Sequence, residues 1–188
     1  MKMLTLTLLD LGGVVFQSTG TSNAQIDWSV ISRLNKKYGH ALNIGEDVFP
    51  AFLSEYNALT HQSLSGTDFL KSVFDTLEIN TELIEIARAH GDIVIVSDNY
   101  RENIAYISER YDFESWAVRQ VYSFDYQMHK SNPVFFQKLL DELEGYPKDN
   151  MILIDDSQRN IDSAQKNGIR GIQFKNNEQL KKEWETLT

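Results

Sequence analysis

The chain has 188 residues, 41% of them apolar and 24% charged, which is enough for one well-packed domain with a small insertion and too few for two ordinary ones. With 18 Lys and Arg against 27 Asp and Glu, the net charge is −9. The surface therefore repels polyanions, so nucleic acid and anionic membranes are not expected as partners, whereas a small anion held by a few convergent groups is compatible with it. The absence of cysteine excludes disulfides, thiolate zinc sites and a cysteine nucleophile, and fits a reducing, cytoplasmic location.

The stretch from Met3 to Leu9 is too short for a secretory leader, ends in Asp10 and lacks a small-residue cleavage site; a strand is expected there. No apolar run approaches the roughly 20 residues of a membrane span. Leu4 to Phe16 is apolar on both sides of Asp10, with Gly12 and Gly13 breaking the run, which predicts a buried strand ending in a tight loop. Gln17 to Asn23, rich in Ser, Thr and Gly, is the expected hinge. Three helices follow without a strand between them. The first is capped by Asp27 and stops at Gly39, the second is capped by Asp47 with Pro50 in its first turn, and the third opens on Ser65 and Asp68 and carries Phe69 to Leu77.

After Thr81 helices and strands alternate. A helix with Leu83 and Ala87 leads to the apolar strand Ile93 to Val96, which ends at Ser97-Asp98-Asn99. A helix over 100–110, a weaker strand near Val118 to Tyr122 and the pair His129-Lys130 come next, and Asn132-Pro133 opens another helix. The strand Met151 to Ile154 ends in Asp155-Asp156-Ser157, a helix stops at Gly168, and a last strand over 169–174 precedes a solvated C-terminal helix. The pattern predicts an α/β fold: a doubly wound, mostly parallel Rossmann-like sheet, with a core formed by residues 1–16 and 80–188 and a helical insertion over 17–79.

In a parallel sheet, Asp10, Ser97-Asp98-Asn99, Lys130 and Asp155-Asp156 share one edge, where ligands bind. Their carboxylates suit a hard divalent cation such as Mg²⁺, and Lys130 and the Ser97 hydroxyl suit a phosphoryl group. A carboxylate in such a place can attack phosphorus to form an aspartyl-phosphate. Each residue also has an ordinary reading: turn aspartate for Asp10, helix cap for Ser97 and Asp155-Asp156, solvated loop lysine for Lys130. The conjunction is what points to a site.

The segments Asp10-Leu11-Gly12-Gly13-Val14-Val15, Ser97-Asp98-Asn99, His129-Lys130-Ser131-Asn132-Pro133 and Ile154-Asp155-Asp156-Ser157-Gln158-Arg159-Asn160-Ile161 resemble the four ordered motifs of the haloacid dehalogenase-like (HAD) hydrolase superfamily. The helical run has the position of a small C1-type cap. The resemblance implies Asp10 as nucleophile and metal ligand, and Ser97, Asp98 and Lys130 as substrate-binding groups. The Gly12 carbonyl, Asp155 and Asp156 would complete the metal site. The expected partner is a small phosphorylated substrate, and the oligomeric state is left open.

The family's phosphatases usually carry a second Asp two residues after the nucleophile, as general acid and base. Here that residue is Gly12. The Asp-Leu-Gly-Gly form is similar to a bacterial subgroup that includes sugar-1-phosphate phosphatases, which keeps a phosphatase, of a sugar phosphate among other substrates, in view. Without that acid, phosphoesters with good leaving groups are favoured, and His129 or His61 is the candidate replacement proton carrier. Two other outcomes stay open: a phosphate-binding protein with little turnover, and a metal-independent hydrolytic dehalogenase, against which Asp155-Asp156 argues.

Overall fold

A computed structural model describes residues 5–187; Met1 to Leu4, the expected start of the first strand, lie outside the described residues. Five strands form one parallel sheet in the order β5-β4-β1-β6-β7. Its centre is β1 (Thr5–Leu9), flanked by β4 (Gly91–Ser97) and β6 (Met151–Asp155), with β5 (Arg119–Tyr122) and β7 (Arg170–Gln173) at the edges. The sheet is covered on both faces, which is why its strands read as unbroken apolar runs. Leu6, Leu8, Val94, Val96 and Leu153 pack on one face with Phe135, Phe136 and Leu139. Leu9, Ile93, Ile95, Ile152 and Ile154 face the other side and join the cluster that reaches the helical insertion.

Three helices, α1 (Trp28–Asn43), α2 (Phe49–Thr60) and α3 (Gly66–Phe74), lie between two short strands, β2 (Phe16–Ser18) and β3 (Leu77–Ile79). Those strands pair antiparallel, so the chain leaves and rejoins the core along one ribbon. The expected hinge thus begins inside β2, and Thr19, next along, donates its backbone N–H to the Thr76 carbonyl at 3.0 Å. Leu77 belongs to β3, not to the third helix. Its side chain continues the spacing of Phe69, Val73 and Phe74, but the helix has already ended and the ribbon's pairing takes over.

Two helix boundaries also differ from expectation. Asp27 caps α1 as its sequence predicts, accepting from the backbone N–H of Ser29 and Val30. The helix then runs through Gly39 to Asn43, and the break falls at Gly45, whose φ of 88° suits glycine. Asp47 does not cap α2; Val48 occupies that position without a side-chain bond, and Pro50 sits in the first turn. Ser65 does cap α3, accepting from the Asp68 N–H at 3.1 Å.

The helices of the core are α4 (Thr81–Arg88), α5 (Arg101–Ser108), the short α6 (Ser123–Tyr126), α7 (Pro133–Glu142), α8 (Gln158–Gln165) and α9 (Asn177–Leu187). The last is not wholly solvated: Leu180 and Trp184 are buried, the indole stacking on His90 with ring centroids 4.4 Å apart. Among the described residues no helix is long and apolar enough to cross a membrane.

Candidate active site

The sheet register builds the site. Leu9 lies beside Ile95 on one side and Ile154 on the other. The next residues along all three strands therefore meet at the C-terminal edge: Asp10 after β1, Ser97 closing β4 and Asp155 closing β6. The Asp10 N–H donates to the Ile154 carbonyl at 3.1 Å, which holds the two aspartates together.

Lys130 enters from the loop between α6 and α7. It is fully buried, and its Nζ lies 2.7 Å from Asp10 Oδ1, 2.6 Å from Asp155 Oδ2 and 3.0 Å from the Val96 carbonyl. An ammonium has three protons to donate, and all three are placed. The backbone helps: the Lys130 N–H donates to Asp98 Oδ1 at 2.9 Å, pinning the loop to the end of β4. Asp155 is engaged on both oxygens, accepting from the Ser157 N–H at 2.8 Å and from Asn160 Nδ2 at 3.1 Å to each. Asp156 is exposed, and one carboxylate oxygen each from Asp10, Asp155 and Asp156 lies within 4.8 Å of the others.

Burial sets the electrostatics. It pushes the Asp10 carboxyl up to about 7, with the Asp155 charge adding to the effect and Lys130 and the Ser97 hydroxyl opposing it. Asp156 is raised by partial burial and by Asp155. Burial also works against the charge of Asp98, but the nearby His129 ring, the charge of Lys130 and the Lys130 backbone N–H prevail and hold its carboxyl below the usual range. Three carboxyl groups gathered around one ammonium form an all-oxygen donor set, which suits a hard divalent cation that would displace their protons.

The two glycines after Asp10 differ. Gly13 has a φ of 73°, and a Cβ there would sit 2.7 Å from Asp156 Oδ2, so this position has neither the backbone freedom nor the room for a side chain. At Gly12 an added Cβ meets nothing within 4 Å. The side chain missing from the resemblance is thus missing from open space.

A polar pocket of about 450 Å³ is lined by Asp10, Gly12, Asp98, Lys130, Asp156 and their neighbours, including His129 and Arg159. The structure therefore brings together Asp10, Gly12, Ser97, Asp98, Lys130, Asp155 and Asp156. His61 ends α2 in the left-handed conformation and is not among the residues lining this pocket. Sequence reasoning assigned no role to Asn160, which clamps Asp155, or to His40. His40 Nδ1 on α1 lies 2.9 Å from His129 Nε2, the rings stacked, and His129 Nδ1 lies 3.6 Å from Asp98 Oδ2. Asn160 lies five residues past Asp155 in the first turn of α8, and its place in the segment Ile154 to Ile161 is the signal by which its role could be found.

Comparison with known proteins agrees with this fold. The chain is similar in structure to an HAD family enzyme from Bacteroides thetaiotaomicron solved in complex with magnesium and inorganic phosphate, with 18% identity over 92% of this chain and 94% of that one and a TM-score of 0.72. It is also similar to a predicted HAD-like family hydrolase from Porphyromonas gingivalis, with 18% identity over 90% of each chain and a TM-score of 0.64. A 2-haloacid dehalogenase from Pseudomonas syringae pv. Tomato DC3000 shares 15% identity over 92% of this chain and 86% of that one, with a TM-score of 0.56. These likenesses show the fold. No curated protein matches the chain in sequence. The sequence pattern of the haloacid dehalogenase-like hydrolases matches residues 20–174, most of the chain, and with it the chain belongs to the haloacid dehalogenase-like hydrolase family.

Proposed function

We propose that this protein is a Mg²⁺-dependent phosphomonoesterase acting on a small phosphorylated metabolite through an aspartyl-phosphate. The observation that carries the reading is the buried Lys130 bridging Asp10 and Asp155, with Asp156 beside them. The Asp10 carboxylate attacks phosphorus: an O–P bond forms, the ester P–O bond breaks, and the ester oxygen departs with the bonding pair as an alkoxide or phenoxide that takes its proton from water. Water then opens the aspartyl-phosphate, releasing phosphate and regenerating Asp10. Lys130 keeps Asp10 oriented and places a positive charge beside the phosphoryl group, Ser97 supplies a short donor, and Asp98 positions the Lys130 loop. Asp10, the Gly12 carbonyl, Asp155 and Asp156 would hold Mg²⁺, whose chemistry is to neutralise charge on the phosphoryl oxygens. The magnesium and phosphate present in the Bacteroides relative support this assignment. The insertion over residues 17–79, which contains α1 to α3, acts as a cap over the site, excluding water and selecting the substrate.

Gly12 narrows the substrate. A general acid is typically worth ~10²–10⁴ in rate, and the described residues place no carboxylic acid at position 12 to protonate the departing oxygen. Anomeric sugar phosphates, acyl phosphates and aryl phosphates, which leave without that help, are the expected substrates. The same feature favours a second reading, a phosphate-binding protein that turns over poorly.

The deciding measurement is phosphate release from p-nitrophenyl phosphate with and without Mg²⁺, beside the Asp10→Asn variant. Release that needs Mg²⁺ and falls at least about 10³-fold in Asp10→Asn is expected. No release while Mg²⁺ still binds would establish the binding protein, and halide release from a 2-haloacid without Mg²⁺ would establish a dehalogenase.

A further inference from the structure

A second cavity of about 300 Å³, at the lower end of the range for small-molecule pockets, lies between the helical insertion and the core. It shares Gly12 with the polar pocket, and Asn99 lines it one residue along from Asp98 of that pocket. The two cavities thus meet where a bound phosphoryl group would carry its ester oxygen. Their chemistry is opposite. None of the residues lining the second cavity is charged, and its walls include Phe52, Phe69, Phe74 and Tyr100. The polar side chains on its walls are Asn35, Asn99, Asn103 and the Tyr100 hydroxyl, fewer groups than a polyhydroxylated sugar would need to satisfy all its donors and acceptors, so burying one there is costly. An aromatic ring would lose nothing.

Two further details point to a ligand. Trp28, the first residue of α1, lines this cavity with 46% of its surface exposed, so a large indole is left partly uncovered beside it. The side-chain oxygen of Asn103 is buried and has no hydrogen-bond partner among the described residues. Its orientation is fixed. Asn103 Nδ2 donates to Asn99 Oδ1 at 3.0 Å, and that oxygen is itself identified by accepting the Tyr100 N–H at 3.0 Å. Turning the Asn103 amide over would set oxygen against oxygen. A buried acceptor of this kind awaits a donor.

We infer that the cavity receives the organic part of the substrate, and that this part is a compact aromatic group carrying one hydrogen-bond donor for Asn103. The inference deepens the phosphatase reading and rests on it, since it assumes that the phosphoryl group sits in the polar pocket. An aromatic phosphate ester also satisfies the constraint set by Gly12, because a phenolic oxygen leaves readily.

Leaving-group ability must be kept out of the test, so the probes are phosphonates, which bind without reacting. The Mg²⁺-loaded protein is titrated calorimetrically with benzylphosphonate and methylphosphonate. Benzylphosphonate is expected to bind at least about tenfold tighter, the gain from burying a ring of that size. Val73→Trp, which fills the cavity from its half-buried rim, and Trp28→Ala, at an exposed position, are each expected to bring the ratio toward one. Among the ring-hydroxylated benzylphosphonates, one isomer gains a further threefold to tenfold, about the worth of one hydrogen bond, and loses that gain in Asn103→Leu. Equal binding of benzylphosphonate and methylphosphonate, or a ratio unmoved in both cavity variants, overturns the inference. Failure of every hydroxylated isomer to gain overturns the assignment to Asn103. Failure of the phosphatase reading looks different: tight benzylphosphonate binding with no hydrolysis of phenyl phosphate.

Discussion

His129 and Lys130 are neighbours in one loop, yet they anchor two charge networks under opposite conditions. Lys130 turns inward, loses all contact with solvent and places every ammonium proton on Asp10, Asp155 or the Val96 carbonyl. His129 turns outward, stays about a quarter exposed and meets His40, 89 residues away on α1. The inner network joins three strands whose register is fixed by sheet pairing. The outer one joins the helical insertion to the core through two imidazoles and Asp98. A buried, saturated network holds the reacting groups at fixed separations, whereas an exposed contact between two layers can break and re-form. On the proposed function, chemistry and access would fall on opposite faces of a single loop.

The largest effect is expected where the inner network is cut. Lys130→Met leaves Asp10 and Asp155 facing each other in a water-poor site without their cation, and removing one partner of a buried pair typically costs about 3–5 kcal/mol. Urea unfolding of the metal-free variant measures this loss. A change below about 1 kcal/mol would show that solvent reaches the two carboxylates and that the contrast between the two networks is smaller than their burial suggests.

Mg²⁺ sharpens the comparison from the other side. The folded Asp10 carboxyl sits at about 7, against an ordinary value of 3.8, chiefly because of burial. A group whose pKa is raised on folding binds a proton in the folded state that the unfolded chain has released. Its contribution in the metal-free protein therefore becomes less favourable as pH rises from about 4 to about 7. Protons and the cation compete for the same oxygens. Mg²⁺ at 100 times its dissociation constant is expected to stabilise the fold by about 2.7 kcal/mol at pH 8 and by less at pH 6. Thermal melts with and without Mg²⁺ at the two pH values check this, and an equal shift at both would remove Asp10 from the ligand set.

Strand ends were the legible part of the site. Asp10, Ser97 and Asp155 each follow a run of apolar residues, and the parallel register then has no choice but to gather them. Lys130 was legible only through its motif, because an isolated lysine in a loop ordinarily stays in water; its burial is decided by two carboxylates that lie 120 and 25 residues away in the chain. Asn160 reads from sequence as an ordinary first-turn residue until Asp155 is seen beside it. β3 was hidden for a different reason. Leu77 prolongs the helical spacing of α3, and only pairing with Phe16–Ser18, far away in the chain, makes it a strand. The apolar cavity has no sequence signature, because it is a space between side chains from helices and loops.

The smallest effect separates the two networks most cleanly. His40 Nδ1 and His129 Nε2 share one proton across 2.9 Å, one ring donating and the other accepting, so the contact is a single hydrogen bond with some ring stacking. His40→Ala is expected to cost only about 0.5–1.5 kcal/mol, the usual net worth of such a bond. In a double-mutant cycle, His40→Ala and His129→Ala should couple by at least about 0.5 kcal/mol, since they remove the same interaction. His40→Ala combined with Lys130→Met should add to within about 0.3–0.5 kcal/mol, because the two side chains share no direct partner. Coupling in the second cycle as large as in the first would mean that Asp98, whose carboxylate lies beside His129 and also accepts the Lys130 backbone N–H, transmits strain between the networks. The contact between the helical layer and the core would then report on the state of Lys130, and opening that layer would disturb the carboxylate cluster beneath it.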